Sequence, residues 1–441
     1  MSDIKNNSSI EIKLIAISIS FVLLFLTSTL QPSLLYVQYL EAQEEEVDQD
    51  SCIRYDSTEK VITLNCNSII TLKDIDKQLN DPQILHEEEE NMTASNHDAS
   101  DNDAKAVWIL NAGIIVGEKA TLYINNTDTS WLKIVADGKT AHPIEVIGSA
   151  KIDSVKITSW NPETNDYAKT TGDDGAIPRP YIKIVKEATG TTEIINSEIA
   201  YLGYSDEDCS GCSGLSFYGG DGSILKGNHI HHIWNGFYSK EVGDMIIEGN
   251  HVHNNNKYGL DPHTGTHDMV IRKNVVHDNG ATGIICSLDC YNITIEGNEV
   301  YNNDNDKDEI GSRGIALSRN NYDSVVRNNL VYDQGRCIGL NRESHNNEIY
   351  ANTVSDCKVG IIAYKDANNN KIYNNTIMDS TIALAVNSSA YDNAFYSNII
   401  INSKEFEIMD SKEDSDTSSS GSNSFENNKL INSKASSKEE E

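Results

Sequence analysis

The chain is poor in proline, aromatic residues and cations, and each shortage narrows what it can be. Of its 441 residues, 7 are proline and 7% are aromatic, while 35 Lys and Arg stand against 67 Asp and Glu, for a formal net charge of −32. Little proline and few aromatics fit a repetitive β architecture. Binding to nucleic acid needs a basic footprint, so the charge excludes that partner. An anionic ligand would need a locally basic groove.

A long helical period is also absent, and a repeat that opens on asparagine takes its place. The openings are separated by 22, 24, 24, 31, 23, 23 and 23 residues, at Asn228, Asn250, Asn274, Asn298, Asn329, Asn352, Asn375 and Asn398. Short alternating runs rich in Val and Ile follow them and predict strands. A leucine-rich repeat would show leucine columns, and a WD-type blade needs about 40 residues. The pattern predicts an all-β fold, a right-handed parallel β-helix with coils of about 22–24 residues.

The asparagines have a structural interpretation. A turn between strands of one coil needs unusual backbone angles, and Asn tolerates the left-handed region. Stacked Asn side chains also hydrogen-bond from one layer to the next. We therefore predict a structural ladder.

The ends of the chain differ from the repeats. Residues 1–43 contain an apolar run from Leu14 to Leu30 that predicts a signal peptide or an N-terminal membrane anchor. The protein is therefore expected outside the cell or in its envelope, as a monomer that touches membrane only through this segment. Residues 44–105 are predicted as an acidic, partly disordered segment and 106–404 as the β-helix catalytic domain. Residues 405–441 are predicted as an acidic, Ser-rich tail with a last partial coil.

Eight cysteines fall into near-neighbour pairs, of which an exported chain would bridge some. The pairs are Cys52/Cys66, Cys209/Cys212, Cys286/Cys290 and Cys337/Cys357. Cys209-Ser-Gly-Cys212 is half of a metal knuckle, but no second such motif accompanies it. Asp- and Asn-rich turns offer the oxygen ligands that calcium prefers. We expect no required cofactor, with calcium as the alternative, and assign no metal site.

One strand breaks the rule of the repeat, at Tyr258-Gly-Leu-Asp-Pro-His263. Proline in a stacked strand loses a hydrogen-bond donor. Asp261 occupies an offset where later repeats place apolar residues that we predict to be ordinary core, namely Ile285, Ala316 and Ile362. Such departures are expected at functional sites. The alternative is a decorated surface on which Asp261 pairs with Lys240.

Stacking predicts the neighbours of this strand. Equal offsets in successive coils lie about 4.8 Å apart, so Lys240, His263 and Ser287 should form one column. Tyr238 and Asp261 should form another. A separate column of histidines near the asparagines would line the groove or bind a metal, or would simply be exposed; it contains His231, His253 and His277.

The chain resembles the mannuronan (alginate) C-5 epimerases, especially the periplasmic single-module type. That family is marked by Tyr-Gly-Phe/Ile-Asp-Pro-His-Asp on a parallel β-helix, and this sequence has Tyr-Gly-Leu-Asp-Pro-His-Thr from Tyr258. The likeness extends to Thr158-Ser-Trp, Arg179-Pro-Tyr and Leu202-Gly-Tyr, and covers about Val107 to Ser403. The resemblance implies that the substrate is a polymer of β-D-mannuronate, inverted at C-5 to α-L-guluronate.

The resemblance also implies roles for individual residues. His263 and Tyr258 match the catalytic acid/base pair of the family, and Asp261 matches the motif aspartate. Lys240 lies where some members place a lysine that helps to hold the substrate carboxylate. Substrate contacts are expected from Tyr238, Ser287, Arg319 and Arg342.

Two positions depart from the family pattern. Thr264 replaces the last aspartate of the motif, and Leu288 replaces an arginine of the next coil. Arg313, Arg319 or Arg342 would have to supply the missing charge.

The chemistry of a C-5 inversion fits these side chains. The C-5 hydrogen is very weakly acidic, so the carboxylate beside it must be neutralised, and a base and an acid must act on opposite faces. We assign neutralisation of the substrate carboxylate to Lys240, helped by a protonated Asp261 or by a cation. We assign the role of general base to His263 and the role of general acid to Tyr258, and these two roles could be exchanged.

Two alternative functions stay open. Protonation of the O-4 leaving group instead would make a polysaccharide lyase. A non-catalytic β-helix that binds carbohydrate or assists copper insertion is the other alternative.

Overall fold

The computed structural model describes residues 52–88, 105–169, 177–206, 208–303, 313–387, 389–403, 405–408 and 422–431. Within these ranges short parallel strands stack coil upon coil in three columns, here called the first, second and third sheets. The predicted signal peptide or anchor lies outside the described residues. None of the helices in the ranges given above has the length and apolar character that crossing a membrane requires.

Most coils contribute one strand to each sheet in turn. The first sheet contains β3 (Ile69–Ile70), β7 (Thr121–Asn125), β10 (Ser149–Asp153), β13 (Thr192–Ile195), β16 (Ile224–Lys226), β19 (Ile246–Glu248), β22 (Val270–Arg272), β25 (Thr294–Glu296), β28 (Val325–Arg327), β30 (Glu348–Tyr350), β32 (Lys371–Tyr373), β35 (Ala394–Tyr396) and β38 (Ser424–Glu426). The second sheet contains β4 (Leu85–Glu87), β5 (Ala106–Leu110), β8 (Thr129–Val135), β11 (Lys156–Trp160), β14 (Glu198–Ala200), β17 (His229–His231), β20 (His251–His253), β23 (Val275–His277), β26 (Glu299–Tyr301), β33 (Thr376–Met378), β36 (Ile399–Ile401) and β39 (Lys429–Ile431). The third sheet contains β1 (Ile53–Asp56), β2 (Val61–Leu64), β6 (Gly113–Val116), β9 (Pro143–Val146), β12 (Tyr181–Ile184), β15 (Gly214–Phe217), β18 (Asn235–Lys240), β21 (Leu260–His263), β24 (Ile284–Ser287), β27 (Arg313–Ser318), β34 (Ile382–Asn387) and β37 (Glu405–Ile408). Two longer strands run through both the second and third sheets, β29 (Leu330–Asn341) and β31 (Thr353–Tyr364).

The β-helix begins nearer the N-terminus than the predicted start at residue 106. Strand β2 stacks in parallel on β6, while β1 and β4 add antiparallel strands to β2 and β5. Helix α1 (Leu72–Leu79) starts at Thr71, whose hydroxyl accepts from the Asp74 amide while the Asp74 carboxylate accepts from the Thr71 amide. Such a capping box satisfies two amides that the first turn leaves free. Residues 52–88 therefore form a folded N-terminal coil.

The interior is aliphatic. Alternate residues of each short strand point inward, and the predicted column in the second sheet is fully buried. It comprises Val252, Val276, Val300, Val331, Val354 and Ile377.

The predicted asparagine ladder is confirmed. The side-chain amide of Asn274 donates to Asn298 Oδ1 at 2.9 Å and to the Ile247 carbonyl at 2.9 Å, and Asn298 Oδ1 also accepts from the Asn274 backbone amide. The same pattern links Asn228 to Asn428 through the successive coils. Each buried asparagine thus satisfies backbone groups of its neighbours at a corner where strand pairing stops.

One part of the asparagine prediction is wrong. The left-handed residue of the turn is the one before each buried asparagine, as at Gly249, Lys273 and Gly297, with φ of 66°, 56° and 62°. The ladder asparagine itself points inward, and the preceding residue makes the bend. A second ladder that we did not predict joins Asn255 to Asn279, which in turn bonds Asn303, five residues after members of the first.

Three of the four cysteine pairs are bridged: Cys52–Cys66, Cys209–Cys212 and Cys337–Cys357. Cys209 and Cys212, which resemble half of a metal knuckle in the sequence, therefore form a disulfide. Cys286 and Cys290 are free and buried.

We predict that Asn298→Ala destabilises the fold by roughly 2–4 kcal/mol. The change leaves the Asn274 amide and the Ile271 carbonyl without their side-chain partner, and each buried unpaired group costs about 1–3 kcal/mol. Urea unfolding followed by circular dichroism measures the loss. The exposed Asn256→Ala is the matched control, and equal midpoints for the two variants would contradict the structural role of the ladder.

Candidate active site

The third sheet brings the predicted site residues into the predicted columns. Strands β18 and β21 pair Tyr238 with Asp261 and Lys240 with His263, and β24 then pairs Ser287 with His263. Both predicted columns are confirmed.

The site lies on the outer surface of the coil. Leu260 belongs to the interior cluster, and successive strand residues point to opposite sides, so Asp261 and His263 point outward. The residues that match Asp261 in later coils also point outward. Ile285, Ala316 and Ile362 are buried, but Ile362 packs with Tyr364 in a cluster separate from the interior.

The three residues are buried, as predicted, but they lie on the outer side of the coil and outside its interior cluster. Side chains on the outer side of neighbouring coils pack around Ile362, which clusters with Val359, Tyr364 and Ala385. The Arg336 guanidinium lies 4.6 Å from the centre of the Tyr364 ring.

Asp261 is the most buried member of the site, with 2% of its surface exposed. The Ser287 side chain hydrogen-bonds its carboxyl group, and its Oδ1 has no hydrogen-bond partner among the described residues. Burial raises the pKa of Asp261 well above its ordinary value, while Lys257 and Ser287 oppose the shift. A carboxyl group in this position holds its proton and can donate it.

The alternative in which Asp261 pairs with Lys240 is not supported. No ion pair joins these two residues, both of which lie in the described part of the chain.

His263 is half-buried beside two cations. Burial lowers the pKa of His263, and the charges of Arg319 and Lys240 lower it further. Its Nδ1 lies 2.6 Å from the hydroxyl of Thr264, and its ring centre lies 5.4 Å from that of Tyr238. When Nδ1–H donates to Thr264, Nε2 carries the free lone pair that a general base needs. Thr264 thus orients the imidazole from the position where the family motif has an aspartate.

Tyr258 is also partly buried, and its surroundings favour the protonated phenol. Burial raises the pKa of Tyr258, Asp261 adds to the shift, and Arg313 and Arg319 oppose it. The phenol is therefore available as an acid. Burial also raises the pKa of Tyr238, with the neighbouring Tyr218 contributing, so this phenol is a neutral hydrogen-bonding group.

The cations lie along one side of the site. Arg319 and Arg342 occupy equivalent turns of consecutive coils and line a depression of about 530 Å³ together with Leu288 and Lys365. Arg319 acts on both His263 and Tyr258, whereas Arg342 lies one coil further along. Whether Arg313, Arg319 or Arg342 replaces the charge that the family places at Leu288 stays a prediction.

The sequence reasoning missed two residues near the site, Lys257 and Trp234. Lys257 acts electrostatically on Asp261, and its amine lies 5.2 Å from the centre of the Trp234 ring. The position of Lys257 directly before Tyr258 could have indicated that it lies near the site. The expectation of no required cofactor, with calcium as the alternative, stays a prediction.

Comparison with known proteins bears on the fold and on the sequence similarity of the chain. Residues 184–306 and 213–377 match the family model described as right handed beta helix region. The mannuronan C5-epimerase of Pseudomonas fluorescens is 26% identical over 171 residues, which is 36% of this chain and 31% of that protein; the enzyme of Pseudomonas putida is 25% identical over 173 residues, with the same shares. The crystal structure of the periplasmic alginate epimerase AlgG superposes with a TM-score of 0.66 at 21% identity, over 84% of this chain and 85% of that one.

The chain is a right-handed parallel β-helix, and over about a third of its length its sequence is similar to those of mannuronan C5-epimerases. It spans about a third of the length of the curated relatives it matches, and the AlgG superposition establishes the fold. The handedness predicted from the repeat is confirmed.

We predict that Asp261→Asn makes the fold less sensitive to rising pH. Since folding raises the pKa of Asp261, the folded chain retains a proton that the unfolded chain loses above about pH 4, and stability falls as pH rises. The variant lacks this loss, so its stability relative to the parent should grow as the pH rises above about 4, by at most about 1.4 kcal/mol per pH unit. Urea titrations at increasing pH measure it. With exposed Asp289→Asn as control, parallel curves for parent and Asp261→Asn would mean that the carboxyl group is ionised when buried.

Proposed function

We propose that this chain inverts C-5 of uronate residues within an anionic polysaccharide, converting β-D-mannuronate to α-L-guluronate or a related pair. The observation that carries the proposal is the strand register that sets Lys240 and Ser287 beside His263 and Tyr238 beside the buried Asp261. Burial lowers the pKa of His263 and raises the pKa of Tyr258 and of Asp261, which favours the neutral form of each group. The names of the curated relatives and of the AlgG structure agree with it.

The residues divide the work of the inversion. Lys240 and Arg319 lie beside His263 and would neutralise the substrate carboxylate, with the Asp261 proton as a further donor. His263 Nε2 takes the C-5 proton, and the electron pair moves into the carboxylate as an enolate. Tyr258 then delivers its phenolic proton to C-5 from the opposite face. The imidazolium and the phenolate that remain return to neutrality by exchanging a proton through solvent.

The charge around the site differs from that of the whole chain. The chain carries −32, whereas the depression beside the site is lined by three cations, Arg319, Arg342 and Lys365, and by three acids, Asp289, Glu343 and Asp366. A polyanion would meet less repulsion at this charge-balanced surface than over the rest of the chain, and its carboxylates would pair with the three cations.

The location of the protein follows the same proposal. Disulfides persist in oxidising compartments, and three bridges are present among the described residues. We place the chain in the cell envelope or outside the cell, in agreement with the periplasmic location that the AlgG structure names for that protein.

The first test is isotope entry at C-5. Polymannuronate incubated with the protein in deuterated water should gain deuterium at C-5 and guluronate signals by proton NMR, without chain shortening. His263→Gln and Tyr258→Phe should each lower the rate by at least about 100-fold, since general acid–base catalysis contributes about 10²–10⁴-fold. His345→Gln and Tyr322→Phe, which alter rings stacked on one another in turns of other coils, are matched controls.

The outcomes separate the alternatives. Unsaturated ends absorbing near 235 nm, with the same two residues required, would identify a polysaccharide lyase. Binding of the polymer without turnover, unchanged in His263→Gln, would identify a non-catalytic carbohydrate-binding β-helix. Full activity of either site variant would refute the proposed roles.

The second test concerns Arg319. Its charge lowers the pKa of His263, so Arg319→Gln should raise that pKa and move the acid limb of the kcat/KM profile to higher pH, besides weakening substrate binding. Arg272→Gln, on the first sheet, is the control. A lower rate with an unmoved acid limb would mean that Arg319 acts only through the substrate.

A further inference from the structure

The outer face of the second sheet carries an unusual concentration of histidine. Six of the 12 histidines of the chain lie on or directly after three successive strands, at His229, His231, His232, His251, His253 and His277. Between them Ile230, Val252 and Val276 are fully buried in the interior, so the flanking imidazoles point outward. Strand pairing places His229 beside His251, and His231 beside His253 and then His277.

The ring nitrogens of these residues converge. His229 Nε2 lies 2.6 Å from His253 Nε2, and His251 Nε2 lies 2.7 Å from His277 Nε2. One ring nitrogen each of His229, His251 and His253 fall within 4.8 Å of one another. A zinc ion with bonds of about 2.0–2.1 Å separates two tetrahedral ligand atoms by about 3.3 Å. Small side-chain rotations would therefore bring three nitrogens around one ion.

Ring stacking alone does not account for this arrangement. The column from His231 to His277 continues as stacked rings through Tyr301 and Tyr332, so tyrosine serves the stack equally well. The neighbouring column of His229 and His251 continues instead as Val275 and then Glu299. Among the described coils, histidine therefore occupies both neighbouring columns only where ring nitrogens of the two columns come close together.

We propose that His229, His251 and His253 bind a divalent transition-metal ion of the class that prefers imidazole, such as Zn²⁺, Cu²⁺ or Ni²⁺. Three imidazoles with an open fourth position form a recognised coordination set for zinc, and His277 adjoins it. His251 is exposed and gives the ion a path of entry. Glu198, His231 and His229 form another possible set of ligands. Because both sets share His229, an ion bound in one set prevents an ion from binding in the other.

The site would tie together the coils that carry the candidate active site. Strands β17 and β20 lead, through one turn each, into β18 with Lys240 and β21 with Asp261 and His263. An ion held by both strands would bind only the folded register and would raise stability by mass action. The proposal does not depend on the epimerase assignment.

The test uses the full chain without a histidine tag, stripped by a chelator and dialysed. Calorimetric titration with Zn²⁺, Cu²⁺ and Ni²⁺ should show one equivalent of at least one of these ions, with a matching rise in the thermal unfolding midpoint. His251→Ala and His253→Asn should each weaken binding at least tenfold. His251 is exposed, so its variant separates loss of a ligand from loss of the fold, which circular dichroism checks.

Control variants fix the location. His345→Ala and His263→Ala should bind the metal as the parent does, and Glu198→Gln should change the affinity little. The proposal is overturned if no ion binds stoichiometrically, if His251→Ala binds like the parent, or if Glu198→Gln abolishes binding while His251→Ala does not.

Discussion

The structure depends on coil-to-coil register. A β-strand exposes alternate side chains, so a slip of one residue would carry a whole strand face from outside to inside. The aliphatic interior resists such a slip, and the buried asparagines resist it further, because each bonds both the backbone and the side chain of its neighbour. The alignment of Lys240, His263 and Ser287 is a direct consequence of this register.

Burial on the outer surface then sets the protonation states. Desolvation disfavours every charged form, so it lowers the pKa of His263 and raises that of Tyr258 and Asp261. All three groups are driven towards neutrality by one cause. A neutral imidazole can accept a proton and a neutral phenol can donate one, so burial favours the two protonation states that the proposed proton transfer requires.

The sequence was enough to predict the coils and the columns because both follow from periods, one of about 23 residues along the chain and one of two within each strand. Properties that depend on packing between neighbouring coils could not be predicted from the sequence. Ile285 and Ile362 are apolar like the interior residues, and only the packed structure shows that they lie outside the interior cluster. The N-terminal coil was missed because its strands lack the asparagine repeat and two of them pair antiparallel. The burial of Asp261 likewise depends on side chains from several coils.

The proposed replacement of the family's arginine, which is Leu288 here, by Arg319 would illustrate how a stacked architecture tolerates change. Adjacent coils are separated by about 4.8 Å, and an arginine side chain is long enough to cover that step. Arg319 takes up the equivalent turn of the next coil and still acts on both His263 and Tyr258. Coulomb interactions fall off slowly at such distances, so displacing the charge by one coil preserves its influence on protonation. Direct contact with a substrate group is more demanding, because the geometry of guanidinium hydrogen bonds is fixed. The displaced arginine would therefore keep the acid–base chemistry while changing which uronate, or which residue along the polymer, is held.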